Sequence, residues 1–216
     1  MDKALFKNRQ EAAKLLADLL KKYQQNNTIV LGVPRGGIVT AKVIADKLSL
    51  PLGLIIVRKI GHPYNSEYAI AAITESGLII KNEDEAQTAD SEWLHEEAER
   101  QSKEAQRRRM IYWGNKDLLT IKNKTVIIVD DGLATGFTMS AAIKEVKLQN
   151  PKKIIVAVPV SPKDTAEKIK REVDDFVAVL IPKTFLGAVG AYYESFPQIK
   201  DQEIIDMLNE TPDPSV

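Results

Sequence analysis

Thr125–Thr138 reads TVIIVDDGLATGFT, and this stretch decides the fold. Val126-Ile127-Ile128-Val129 is a short run that is apolar on both faces. Such a run reads as a strand buried inside a parallel sheet. Two carboxylates follow at once, Asp130 and Asp131. Next come Gly132, Thr135, Gly136 and Thr138, then a helical pattern on Met139, Ala142, Ile143 and Val146. A strand therefore ends in two acids and a tight loop, and the loop feeds a helix N-terminus. Free backbone N–H groups and the positive end of the helix dipole suit a phosphate there. The two acids suit the vicinal hydroxyls of a sugar. A sugar phosphate satisfies both halves.

A second unit of the same kind lies upstream. Thr28–Val33 reads as a strand, Pro34-Arg35-Gly36-Gly37 as a loop and Ile38–Leu48 as a helix. Two glycines let the backbone approach a ligand closely, and Arg35 offers a fork for phosphate oxygens. Taken alone, this is equally a tight turn with an exposed arginine. Paired with the later loop, it reads as a second anion site.

The remaining elements alternate. Residues 5–23 read as an amphipathic helix packed on the core, Leu52–Val57 as a strand, and Gly61–Ser66 as a loop. A strand over 67–74 turns at Ser76-Gly77 into a hairpin partner over Leu78–Lys81. Ser91–Trp113 is a charged helix with a thin apolar stripe of Leu94, Ala98, Ala105 and Tyr112. Its Arg107-Arg108-Arg109 run reads as a solvated face at the helix C-terminus. Strands over Lys153–Val158 and Phe176–Leu180 flank a helix over Lys163–Glu172. An aromatic-rich loop over 181–196 precedes a helix over Asp201–Asn209. Strands alternating with helices argue for a parallel sheet covered on both faces. Both anion loops leave carboxyl ends of strands, so they can meet at a topological switch point.

Composition narrows the classes. The 216 residues carry 30 Lys+Arg and 30 Asp+Glu, a formal net charge of zero. Bulk-charge binding to nucleic acid is not expected. With no cysteine, disulfides, thiolate catalysis and Cys-ligated zinc are excluded. The charged N-terminus lacks a signal core, and no uncharged run approaches a membrane span. A soluble, cytoplasmic protein without membrane contact is the expectation.

Asp130-Asp131-Gly-Leu-Ala-Thr-Gly-Phe-Thr138 resembles the PRPP-binding signature of type I phosphoribosyltransferases (PRTases), and Gly32-Val-Pro-Arg-Gly-Gly37 is similar to their pyrophosphate loop. The chain is most similar to predicted bacterial members with PRGG and DDGLATG motifs. The resemblance implies a Rossmann-like, three-layer α/β fold. Its mostly parallel sheet has the order 3-2-1-4-5-6 with strand 3 antiparallel, helices on both faces and a small C-terminal hood. It implies one domain over 1–216, with a core over about 28–180, an insertion in the flexible-loop position over about 59–122 and the hood over about 181–210.

The function implied is Mg²⁺-dependent transfer of ribose 5-phosphate from PRPP to a nitrogenous base or related small acceptor, releasing pyrophosphate. That is glycosyltransferase chemistry of nucleotide metabolism. By the resemblance, Asp130 and Asp131 bind the ribose hydroxyls, and Ala134, Thr135, Gly136, Phe137 and Thr138 hold the 5-phosphate. Arg35, Gly36 and Gly37 contact pyrophosphate, with a non-proline cis peptide near Arg35. Magnesium is held by ribose hydroxyls and pyrophosphate oxygens, with no direct protein ligand. Arg58 and Lys59, at the base of the flexible loop, are the basic candidates for closing over pyrophosphate, and they join the two acids as catalytic candidates. Lys183, Phe185 and Tyr192 are the acceptor candidates, although the same aromatics read equally as packing for the terminal helix. Ala134 departs from the family pattern, which has a threonine there. A homodimer is expected by resemblance. The competing reading is a PRPP-sensing regulator of the same fold that binds nucleic acid or a partner protein.

Overall fold

The computed structural model describes residues 5–25, 27–82, 88–114, 116 and 119–210. Its central sheet has five strands, β1 (Thr28–Gly32), β2 (Leu52–Leu54), β6 (Thr125–Val129), β7 (Lys153–Val160) and β8 (Asp175–Leu180). All are parallel, in the order β2-β1-β6-β7-β8. Alternation along each strand sorts side chains onto two faces. Val30, Ile127, Val129, Ile155 and Ala157 meet helices α1 (Arg9–Leu20), α2 (Gly36–Leu48) and α6 (Asp201–Asn209). Ile29, Leu31, Val126, Ile128, Ile154, Val156 and Val158 meet α4 (Phe137–Leu148) and α5 (Lys163–Lys170). Both faces are thus dry. The strands therefore read as continuous apolar runs.

The third strand is placed differently from the expected order. A separate antiparallel sheet holds β3 (Val57–His62), β4 (Asn65–Thr74) and β5 (Ile79–Lys81), in the order β3-β4-β5. The apolar run 52–57 is divided: β2 ends at Leu54, buried Ile55 and Ile56 form the link, and Val57 opens the new sheet. One face of this sheet packs Ile60, Ile70 and Ile73 on Leu94 and Ala98 of α3 (Ser91–Trp113). The other sends Val57, Ala72 and Ile80 toward the α4 side of the core. The segment 61–66, read as a loop from its Gly, Pro, Asn and Ser, contains the end of β3, a turn at Pro63-Tyr64 and the start of β4. The β4–β5 hairpin and the limits of α3 are as the sequence indicates.

Helix α3 returns to the core at its C-terminus, where Tyr112 is buried and its hydroxyl donates to Asp201 Oδ1 at 2.6 Å. The apolar stripe Leu94, Ala98, Ala105 and Tyr112 is buried as read. The arginine run is not uniformly solvated. Arg107 and Arg108 pair with Glu104, whereas Arg109 is drawn inward to Glu75 and lies over the Trp113 ring.

Candidate active site

Strands β1 and β6 are neighbours in register, with Gly32 opposite Val129. From β1 the chain crosses to β2 on one side, whereas β6 lies on the other. Their carboxyl ends therefore frame a topological switch point, where open α/β sheets bind ligands. Val33 N–H donates to Val129 C=O at 2.9 Å and ties the two loop starts together.

Gly36 and Gly37 open α2 directly against the acids. A Cβ on Gly36 would stand 1.8 Å from Asp131 Oδ2, and one on Gly37 would stand 2.9 Å from Asp130 Cα. Only glycine fits at both positions. The Pro34–Arg35 peptide is cis, as the resemblance implies. Arg35 Nη1 lies 3.7 Å from Asp201 Oδ1, which ties the loop to the start of α6.

The second loop is held from outside. Leu133 N–H donates to Val160 C=O at 2.8 Å, and the Thr165 hydroxyl donates to Ala134 C=O at 2.7 Å. Gly136 sits at φ +73° as the residue preceding α4. A left-handed backbone there suits glycine. No side chain caps α4, so the amides of its first turn face the loop, and Ala134 and Thr135 are exposed beside them. Uncapped N–H groups at a helix start form a ready anion site.

The acids are unequal. Asp131 N–H donates to Asp130 Oδ1 at 2.8 Å. Burial raises the pKa of Asp130 well above its ordinary value, and the charge of Asp131 adds to the effect. Burial also raises that of Asp131, but Arg9 opposes it. Arg9 Nε donates to Asp131 Oδ2 at 2.6 Å and Nη1 donates to Pro197 C=O at 2.8 Å. The guanidinium lies 3.6 Å from the centroid of the Phe196 ring. Tyr193 donates its hydroxyl to the Asp131 carbonyl at 2.6 Å, and burial raises its pKa.

Asp130, Asp131, Arg35, Gly36, Gly37 and the loop 134–138 thus come together around one crevice. Other candidates stand elsewhere. Arg58 lies half-buried on the α3 side of β3 and donates from Nε to Gln101 Oε1 at 2.9 Å. Burial and the nearby Arg108 lower its pKa. Lys59, on the opposite face of the strand, is exposed. Lys183 is exposed as well. Phe185 and Tyr192 stack on each other at 5.5 Å. Tyr192 is buried in a cluster with Phe6, Val160 and Tyr193, so its ring is spent on packing. These aromatics anchor the N-terminal segment rather than the terminal helix. Arg9, Tyr193 and Phe196 are the residues that the sequence does not reveal, since each reads locally as helix or loop packing.

With this geometry in place, comparison with known proteins identifies the family. The sequence profile of the phosphoribosyl transferase domain matches residues 3–195. The chain belongs to the phosphoribosyl transferase family. A Mycobacterium tuberculosis protein provisionally named a phosphoribosyl transferase is 33% identical over 207 residues, covering 95% of this chain and 46% of that protein. The chain thus spans about half the length of the curated relatives it first matches. The human hypoxanthine-guanine phosphoribosyltransferase is 32% identical over 101 residues, 45% of this chain and 43% of that one. The crystal structure of TT1426 from Thermus thermophilus is similar with a TM-score of 0.80 and 36% identity, covering 95% of this chain and 98% of that one. Among the described residues of this phosphoribosyl transferase chain, no helix is long and apolar enough to cross a membrane.

Proposed function

We propose that this phosphoribosyl transferase domain moves ribose 5-phosphate from PRPP to a nitrogenous base and releases pyrophosphate. The observation that carries the reading is the convergence of two glycine loops, from adjacent strand ends, on one pair of acids. PRPP has an anion at each end and a diol between them. The start of α4, with Thr135 and Thr138, takes the 5-phosphate. Asp130 and Asp131 accept the ribose hydroxyls, and Arg35 with the Gly36-Gly37 backbone meets pyrophosphate. Lys59 is the candidate for closing over that group. The similarity to a hypoxanthine-guanine phosphoribosyltransferase supports a purine-like acceptor.

The C1–O bond to pyrophosphate breaks, and its electron pair leaves with pyrophosphate. The acceptor nitrogen supplies the pair for the new bond at C1. Positive charge develops on the ribose ring beside the acid pair, where fixed negative charge stabilises it without reorganisation. A magnesium ion would arrive with the pyrophosphate, and Asp130 and Asp131, between the two loops, would face it. The chemistry supplied by bound Mg²⁺ is neutralisation of the leaving group's charge.

The test is a pyrophosphate-release assay across purine and pyrimidine bases with PRPP and Mg²⁺. Base-dependent release supports the transferase. PRPP binding without release on any base favours the PRPP sensor instead.

A further inference from the structure

Arg9 does not belong to either anion loop, and its place is unusual. It is only 7% exposed, yet its charged head points at an acid 122 positions away in sequence. Three contacts fix the guanidinium. Nε donates to Asp131 Oδ2, Nη1 donates to the Pro197 carbonyl, and the plane rests on the Phe196 ring. The support is itself anchored. Phe6 N–H donates to Tyr192 C=O, while Glu194 and Ser195 N–H donate to Phe6 and Lys7 C=O. The N-terminal segment and the C-terminal loop are thus laced together, and the Tyr193 hydroxyl holds the Asp131 backbone from the same side. A Cβ on Gly36 would fall within 3.1 Å of Arg9 Nε as well as on the carboxylate. The missing side chain at Gly36 is what gives this ion pair its room.

A helix that only packed the core has no use for such an arrangement. Burying an arginine head is costly unless it is paired, and an apolar residue at this position would pack the same aromatics. We propose that Arg9 is a positioning residue of the acid pair: it grips Asp131 by Oδ2 and so presents the carboxylate to the ribose diol in one orientation. The inference rests on the PRPP reading of the crevice. A charge-assisted bond to one oxygen stops rotation of the carboxylate. It also divides the labour of the pair, because the charged and titratable groups facing Asp131 are Arg9 from α1, Asp130 from its own loop and Tyr193 from the C-terminal loop. Arg9 is the cation among these groups, and its direct contact favours charge on Asp131. The C-terminal loop, whose residues the sequence offers equally as acceptor candidates and as packing, thereby acts on the ribose side through Arg9.

The experiment compares wild type, Arg9→Lys and Arg9→Met in the full chain. PRPP with Mg²⁺ is titrated calorimetrically from about pH 5 to pH 8, and the Asp131 carboxyl is titrated by ¹³C NMR without ligand. Loss of a charge-assisted contact predicts that Arg9→Met binds PRPP about tenfold more weakly at neutral pH. Its affinity also begins to fall at higher pH than in wild type, and the Asp131 carboxyl titrates higher. Arg9→Lys restores most of both effects. An Arg9→Met protein with wild-type Asp131 titration overturns the inference, as does a loss of affinity that is equal at every pH and not restored by lysine. Either result makes Arg9 a packing residue alone. Should Arg9→Met fail to fold, Arg9→Gln takes its place and is judged by the same two criteria: a raised Asp131 titration and a pH-dependent loss of affinity support the inference, and a wild-type Asp131 titration overturns it. Failure of wild type to bind PRPP sinks the function proposed above, while the carboxyl titration still decides whether Arg9 governs Asp131.

Discussion

Two pairs of acids are drawn into this molecule, and they are used differently. Asp130 and Asp131 stand at the end of β6 against Gly36 and Gly37 at the start of α2, with the uncapped start of α4 beside them. Glu75 and Glu145 stand where the second sheet meets α4, around a cavity of about 50 Å³ lined by Leu31, Leu54, Trp113 and Ile121. Glu145 Oε2 accepts from both the Thr74 and Ser76 hydroxyls at 2.6 Å. Arg109 approaches Glu75 at 3.6 Å, and burial still raises the pKa of Glu75. The second pair is consumed by neighbours from its own chain and fastens the second sheet to α3 and α4. The first is packed against Gly36 and Gly37, where no side chain fits, and lies beside the uncapped start of α4. Burial alone does not mark a site; backbone brought onto the acids by glycine and uncapped amides beside them do.

The largest test of this contrast lies in the crevice. Asp131→Asn and Gly36→Ala each predict a fall in pyrophosphate release of about 10²–10³, the scale of losing one preorganised electrostatic contact. Steady-state assay with PRPP checks both. Glu145→Ala predicts the opposite profile. The buried Thr74 hydroxyl and the exposed Ser76 hydroxyl lose their acceptor, at a cost of about 1–3 kcal/mol in urea unfolding, while PRPP affinity stays at the wild-type level. A loss of PRPP affinity in Glu145→Ala matching that in Asp131→Asn would collapse the distinction between the pairs.

A subtler effect comes from Asp130. Its pKa is raised mainly by burial from an ordinary value of 3.8. Between that value and the raised one, the folded protein binds more protons than the unfolded chain. Stability contributed by this group is therefore present at low pH and is lost as pH climbs through the window. Asp130→Asn removes the slope, so the variant gains stability on wild type at neutral pH relative to pH 4. Chemical unfolding at the two pH values measures it. The gain comes with loss of turnover, as expected where a site holds destabilised groups. The smallest effect belongs to the surface. The Arg107 and Arg108 hydrogen bonds lower the Glu104 pKa to about 2, yet Glu104→Gln predicts less than about 0.5 kcal/mol in a thermal melt, because exposed pairs are screened.

The first acid pair was legible because its chemistry is local. A β-branched run, two acids, glycines and a helix start occupy 14 consecutive residues, Thr125–Thr138. The same holds for Thr28–Gly37 and for the β4–β5 turn at Ser76-Gly77. The division of Leu52–Val57 between two sheets was not legible. Both halves are apolar and buried, so no periodicity marks the change of partner. The β3–β4 hairpin was masked by Gly61 and Pro63, which read as loop residues while sitting beside a shifted register and in a turn. Arg9 and Tyr193 were invisible for a different reason. Each meets Asp131 across 122 and 62 positions respectively, and contacts of that range leave no pattern in the flanking residues.

In the proposed function, the crevice at the ends of β1 and β6 binds PRPP through the acid pair. Calorimetric titration of wild type and Asp131→Asn with PRPP and Mg²⁺ tests it most directly. Saturable binding at one site per chain is expected in wild type, weakened at least tenfold by the substitution. No binding by wild type, or equal affinity in the two proteins, would contradict it.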